Sequence, residues 1–492
     1  MGNSYNRTVV FLSALGSFSY GFSLAVIGSV LGLNSFLEYF DLVNSANAQS
    51  ILGATSALFA AGCAFGALLE IVLADKLGRV RTLQVTCALA VISSAIQGGS
   101  VHVAMFLIGR FLNGVGVGAL LTLVPVYMVE ISPAERRGLL VGSHEFLIVT
   151  GHALAAWTGF GCYFSKNEEF QWRFELSAQA VAPLLLLIGS KWIPESPRWL
   201  IEKGRKHEAF NILQNLHGEG NNGDGMVSTI KSREEFYQIS EQVLVDNAYR
   251  EKEGKWVLFT KASYRKRVLV GMATMFLSQS TGVLVINNYQ VMLYNGLGLY
   301  DSLPLMLYAC YLTWAAIMNY ASAMIMDRFG RRRLLILGFL LCPISIICET
   351  AMVACFSGTS SKVGNGFGVL FLFTYVGTYA LFLDASIYVY CAEIFPTHVR
   401  ASGMGLSIFA QACTTLLYTQ VAPTAFNKIQ WKYYIVFVVV PLAGVSLVWK
   451  FWPETKGATL EEIGQALATK LLSMSPISTK MNGGSSMRSY ML

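Results

Sequence analysis

The stretch Val9–Leu31, VVFLSALGSFSYGFSLAVIGSVL, runs for more than twenty residues without a single charge. A helix rising about 1.5 Å per residue needs about 20 apolar residues to cross the hydrocarbon core of a bilayer. A cleaved leader is the competing reading, but its apolar region would run only about 7–15 residues. The stretch therefore predicts a first membrane helix. Eleven more runs of this kind come after it, giving twelve near 9–31, 51–74, 82–100, 103–127, 139–160, 174–193, 268–290, 304–326, 334–356, 367–390, 402–424 and 433–452. Composition agrees. Charged residues make up 13% of the chain and apolar ones 54%, whereas a soluble domain is about a quarter charged.

Two longer polar stretches remain, a central one at about 194–267 and a tail after about 465. The net charge of +7 invites a nucleic-acid partner, but the positions of the charges explain it better. Twelve spans put both termini on one side. The opposite side then holds only Lys166, Arg173, Lys362, Lys428 and Lys432 of the 36 basic residues, while Arg110 lies within a helix. This is the positive-inside pattern, and it predicts cytoplasmic termini and no nucleic-acid role.

The nine cysteines show no CxxC or Cys/His ligand spacing, so they are expected as small packing residues, with no metal and no cofactor. The glycosylation match Asn6-Arg7-Thr8 falls on the cytoplasmic side, and MGNSYN misses the myristoylation pattern at residue 6.

The two halves of the chain repeat the same polar words. Asp75-Lys76-Leu77-Gly78-Arg79 matches Asp327-Arg328-Phe329-Gly330-Arg331, and Glu130-Ile131-Ser132-Pro133 with Arg137 matches Glu393-Ile394-Phe395-Pro396 with Arg400. Pro194-Glu195-Ser196-Pro197-Arg198 matches Pro453-Glu454-Thr455-Lys456-Gly457. A common offset of roughly 250–260 residues marks a duplicated six-helix unit, with a substrate site expected between the halves at mid-membrane. Each word places an acid and a base at a cytoplasmic helix end. Paired there, Asp75, Arg79, Glu130, Arg137, Glu195, Asp327, Arg331, Glu393, Arg400 and Glu454 are candidates for a cytoplasmic gate rather than mere topology anchors.

These words, with Leu112-Asn113-Gly114-Val115, Gly118, Tyr127 and the run YCAEIFPTHVRASGMG at 390–405, resemble the sugar-porter family of the major facilitator superfamily over nearly all of residues 8–464, fungal members most. The resemblance implies an all-α membrane protein with the major facilitator fold. An N-terminal six-helix half would span 1–193, a cytoplasmic helical linker 194–267, a C-terminal half 268–464 and a disordered tail 465–492. Two amphipathic, charged stretches of the linker, Glu202–His217 and Lys231–Glu253, fit cytoplasmic helices. The resemblance also implies alternating access and a cavity lined by Glu145, His152, Ser278, Gln279, Leu284, Asn288, Tyr388 and Gln411. Residues 145 and 152 share one helix face two turns apart.

Several of these positions depart from the family pattern. Glu145 and His152 stand where cavity glutamines are usual, Ser278 precedes Gln279 where two glutamines are usual, Leu284 replaces an asparagine and Tyr388 a tryptophan. Such a site fits a hexose less well and could suit a pentose, polyol, oligosaccharide or sugar acid. Proton-coupled members carry an aspartate in the first helix opposite a fourth-helix arginine; here Gly21-Phe22 is followed by Ser23, with Arg110 kept. That favours a uniporter. Asp384, which interrupts an apolar run in the tenth helix, and Glu145 offer displaced carboxylates instead. Glu145 is expected to neutralise Arg110 and Asp384 to carry the proton, with His144 and His152 as further titratable groups. A secondary carbohydrate:proton symporter of the plasma membrane, monomeric and set in lipid, is the leading reading. A uniporter or a non-transporting sugar sensor is the alternative, and no GxSxG, HExxH or P-loop motif suggests an enzyme.

Overall fold

The computed structural model describes residues 4–43, 45, 47–131, 137–217, 225–253, 257–356, 362–396 and 399–456. At a few helix ends only the backbone is described. The side chains of Arg137 and Asp327, and the tail expected at 465–492, lie outside the described residues.

Helices occupy the expected runs in order. The first five are Ser4–Val30, Ala48–Leu77, Arg79–Gly98, Val103–Ile131 and Arg137–Tyr163. The sixth is broken, Glu168–Ala178 then Val181–Gly189, and the seventh likewise, Ala262–Gln279 then Val283–Gly296. The eighth is Leu303–Phe329 and the ninth Arg331–Phe356. The tenth runs Lys362–Tyr379, makes a π-helical turn at Ala380–Asp384 and continues as Ala385–Ile394. Arg400–Lys428 and Tyr434–Phe451 complete the twelve.

Among the described residues, nine stretches are long and apolar enough to cross a bilayer. The sixth, eighth and eleventh fall short of that threshold for a physical reason. The sixth is interrupted, and the other two turn polar side chains inward. Asn319 and Ser322 of the eighth, and Gln411, Thr415 and Thr419 of the eleventh, are buried. Polarity packed against other helices lowers hydropathy without facing lipid. The sixth helix also starts at Glu168, earlier than the expected 174. The Asn167 side chain accepts from the amides of Glu169 (3.0 Å) and Phe170 (3.3 Å) and so caps a polar first turn.

The break in the seventh helix is specific. Gly282 has φ +86, and a Cβ there would sit 2.7 Å from the Phe437 ring, so glycine is required twice over. The Tyr375 hydroxyl donates to the freed carbonyl of Thr281 at 2.9 Å. A broken membrane helix is tolerated when its loose backbone groups find such partners.

Between the sixth and seventh helices lie Pro197–Glu202, Lys206–His217, Gly225–Glu253 and Val257–Thr260. The linker helices hold one another through the pair Arg198–Asp246, and they dock on the first half through the Trp199 indole, which donates to the Asp75 carbonyl at 3.2 Å.

Hydrogen bonds between the first six and last six helices gather at one end of the bundle. The Tyr308 hydroxyl donates to Ala25 O (3.0 Å), Gln420 to Ser50 O (3.2 Å) and Trp157 to Thr313 (3.0 Å), and the Tyr289 hydroxyl, 3.0 Å from Thr419 O of its own half, lies 3.3 Å from Leu52 O across the seam. All lie toward the end opposite the chain termini. Gly28 lets the seam close, since a Cβ there would be 2.4 Å from the Tyr308 hydroxyl.

Candidate functional site

A cavity opens where the two sets of six helices face each other. It is lined by Tyr20 and Leu24 of the first helix, Glu145, Val149 and His152 of the fifth, Gln279, Leu284 and Asn287 of the seventh, Tyr379, Asp384 and Tyr388 of the tenth, and Gln411 of the eleventh. The space between these side chains measures about 630 Å³, part of it continuous with open solvent.

The π-helical turn sets the position of Asp384, the last residue of Ala380–Asp384. An extra residue in one helical turn rotates the residues beyond it, and such turns gather at functional sites. The Asn319 amide donates to the Asp384 carboxylate at 2.8 Å. One turn on, the Tyr388 hydroxyl meets the Gln411 amide at 2.8 and 3.2 Å. The side-chain oxygen Oε1 of Gln279 and Nε2 of His152 are buried with no partner among the described residues.

Sequence reasoning placed Glu145, His152, Gln279, Leu284, Tyr388, Asp384 and Gln411, and all of them line this cavity. Asn288 lines an adjoining limb. Ser278 does not reach the cavity; its hydroxyl lies 3.0 Å from that of Tyr379, which does. Tyr20, Asn287 and Tyr379, and Asn319 behind Asp384, were not anticipated. The interruption of an apolar run at Asp384 was the available signal for the last of these.

One expectation is corrected. Glu145 does not neutralise Arg110. Arg110 is fully buried between the first, second and fourth helices, donating to the carbonyls of Thr55 (3.2 Å) and Ser23 (3.1 Å). Its guanidinium carbon lies 4.4 Å from the Phe59 ring centroid. Two main-chain carbonyls and a ring face hold the cation where an acidic partner was expected. His144 turns away from the cavity to Ser17, at 2.5 Å.

The repeated words build matching junctions. Gly78 ends the second helix at φ +89, and Glu195 accepts from the next amides, Arg79 at 2.8 Å and Val80 at 3.3 Å. Gly330 ends the eighth at φ +87, and Glu454 accepts from Arg331 at 3.0 Å and Arg332 at 3.4 Å. Anions are favoured at such helix starts. Burial pushes the Glu195 carboxyl above its ordinary value, against the pull of those amides. The Arg79 side chain grips Glu130 through two bonds, 3.0 and 2.9 Å, with Asp75 at 4.0 Å. Arg331 pairs with Glu393 at 3.1 Å, and Arg400 donates to Phe395 O at 3.4 Å. These contacts join helices within one half.

The profile of the family described as "Sugar (and other) transporter" matches residues 9–467. The chain belongs to that family. The transporter is 30% identical to the "MFS-type transporter criB" of Aspergillus cristatus over 463 residues, 94% of this chain and 93% of that protein. It is also 30% identical to the "High-affinity glucose transporter" of Kluyveromyces lactis over 480 residues, 94% of this chain and 85% of that one. Among solved structures, the proton:xylose symporter XylE bound to 6-bromo-6-deoxy-D-glucose superposes with a TM-score of 0.78 at 24% identity, covering 94% of this chain and 99% of that one. That likeness establishes the major facilitator fold. The transporter is thus a multi-pass membrane carrier and not an enzyme.

Proposed function

We propose that the protein moves a small carbohydrate or polyol across the plasma membrane by alternating access, in symport with a proton. In this reading residues 1–193 and 268–464 are the two halves that rock about the cavity. Residues 194–267 link them on the cytoplasmic side, where both termini lie, as the distribution of Lys and Arg favours. One copy of the chain encloses the whole cavity, which fits a monomer set in lipid. Relatives named as glucose transporters favour a sugar. So does the lining: Gln279, Asn288 and the Tyr388–Gln411 pair can meet hydroxyls, and the rings of Tyr20 and Tyr379 can meet an apolar sugar face.

The observation that carries the coupling is that Glu145 and Asp384 line one cavity that, among the described residues, no Lys or Arg lines. Two ionised carboxylates in a low-dielectric cavity repel, and a proton taken up by either removes that cost. Asp384, set by the π-helical turn and held by Asn319, takes up and releases the proton; Glu145 faces it as the second acid. The Arg79–Glu130 and Arg331–Glu393 pairs stiffen the cytoplasmic mouth within each half, so each half moves as a body and the gate opens between them. A uniporter is the second reading, favoured by Ser23 beside Arg110 where a carboxylate would couple.

Uptake in a transporter-null cell tests this. Wild-type accumulation should collapse with a protonophore. Asp384→Asn should abolish accumulation against a gradient while sparing exchange of substrate across the membrane. Uptake that ignores the protonophore and never exceeds the outside concentration identifies a uniporter, and no uptake of any sugar or polyol overturns the carbohydrate reading.

A further inference from the structure

A limb leaves the main cavity between the first, second, fourth, seventh and eleventh helices, sharing Tyr20, Leu24, Leu284 and Gln411 with it. Its character is different. Beyond the shared mouth Phe59, Ala60, Cys63, Leu121, Ile408 and Ala412 make most of the wall apolar; Ser56, Asn288 and Thr415 are its polar members, and among the described residues no charged side chain lines it. The nearest buried cation, Arg110, sits behind the Phe59 ring, whose centroid is 4.4 Å from the guanidinium carbon, and Phe59 itself lines the limb. Thr415 spends its hydroxyl on the Gln411 carbonyl at 3.0 Å. Small side chains, Ala60, Cys63 and Ala412, leave a narrow space between the walls, part of it continuous with open solvent.

A sugar hydroxyl pushed past Asn288 into the apolar part of the limb would shed its water for few partners, at a cost of about 1–3 kcal/mol. An apolar group entering the same space sheds only unfavourable hydration. The two compartments therefore select a solute with two ends. Polar groups meet Gln279, Asp384 and the Tyr388–Gln411 pair, and an apolar group passes Leu284 into the limb. Leu24 and Leu284 line both compartments and give the branch point an apolar side facing Tyr20 and Gln411.

We infer that the transported solute is a carbohydrate or polyol carrying a compact apolar substituent, an alkyl, acyl or deoxy group, which seats in this limb. The inference deepens the carbohydrate reading and depends on it.

Competition against uptake of a labelled parent sugar tests it, using the methyl, ethyl, propyl and butyl glycosides of that sugar below micelle-forming concentration. The inhibition constant should fall about fourfold for each methylene that fits, the equivalent of ~0.8 kcal/mol per buried CH2. In Ala412→Phe, which fills the limb, the ratio of parent to propyl inhibition constants should collapse toward one. Ala60→Val, a milder filling, should give an intermediate ratio and serves if the larger variant fails to fold. Glycosides that compete no better than the parent in the wild type overturn the inference and leave the carbohydrate reading standing. A chain-length gain that survives both fillings reports partition into lipid and also overturns it. If neither parent nor glycosides compete, the carbohydrate reading falls, and this one with it.

Discussion

Gln279 closes the first segment of the broken seventh helix, 3% exposed, with its side-chain oxygen Oε1 unpartnered among the described residues. A buried acceptor left unmade costs about 1–3 kcal/mol. When a substrate hydroxyl donates to it that cost is recovered, so Gln279 should matter to the bound state more than to the fold. Gln279→Leu keeps similar volume and removes the orphan. Substrate affinity should fall by about 1–2 kcal/mol, roughly 5–30-fold in Kd, with Tm unchanged or higher. Gln411→Leu is the contrast, because Gln411 already bonds Tyr388 at 2.8 Å. That change should lower affinity and Tm together. Titration calorimetry on purified protein, with the sugar that a transport panel identifies, gives Kd; scanning fluorimetry gives Tm. A Gln279→Leu protein that binds within twofold of wild type refutes the reasoning. So does a Tm loss as large as that of Gln411→Leu, which would make the amide structural.

The junction at Gly78 should be brittle: a Cβ there meets the Glu195 carboxylate at 2.6 Å from a backbone at φ +89, so strain and a lost cap together predict about 2–4 kcal/mol of destabilisation for Gly78→Ala. Gly204→Ala, at φ +77 with open space around it, should cost only about 1–2 kcal/mol, and equal thermal shifts in the two variants would contradict the cap. At the seam opposite the termini, Tyr308→Phe removes the bond to Ala25 O, worth about 1 kcal/mol, and Tyr289→Phe removes a hydroxyl shared between Leu52 O across the seam and Thr419 O of its own half. The double variant should shift the population toward an outward-open form, seen as longer spin-label distances between the halves at that end; unchanged distances count against the seam as a gate. Arg331→Gln, which breaks the pair with Glu393, should leave surface expression normal but slow transport several-fold, and a wild-type rate at equal surface amount would leave the pair without a role in cycling.

How legible each feature was depends on what carries it. The helices were readable because lipid demands uncharged runs, and of the three spans that are less apolar, the eighth and eleventh are so through Asn319, Gln411 and their neighbours, polar groups the bundle buries. The repeated words were readable as pairs, and Gly78 with Glu195 and Gly330 with Glu454 give that repetition the same geometry twice. Arg110 was misread because its acceptors are the carbonyls of Thr55 and Ser23, and a carbonyl leaves no mark on residue identity. The π-helical turn at Ala380–Asp384 was invisible for a similar reason, since its residues are ordinary apolar ones until Asp384. Tyr20 and Tyr379 entered the cavity through helix rotation, which spacing alone does not fix at that precision.

The central claim is that a proton crosses with the substrate by way of Asp384. The most direct measurement uses purified protein in liposomes loaded with a pH-sensitive dye, given substrate outside with no initial pH gradient. Wild type should acidify the interior in step with substrate entry, while Asp384→Asn exchanges substrate with the interior pH flat. Substrate entry into wild-type vesicles at constant internal pH, or continued acidification with Asp384→Asn, would contradict it.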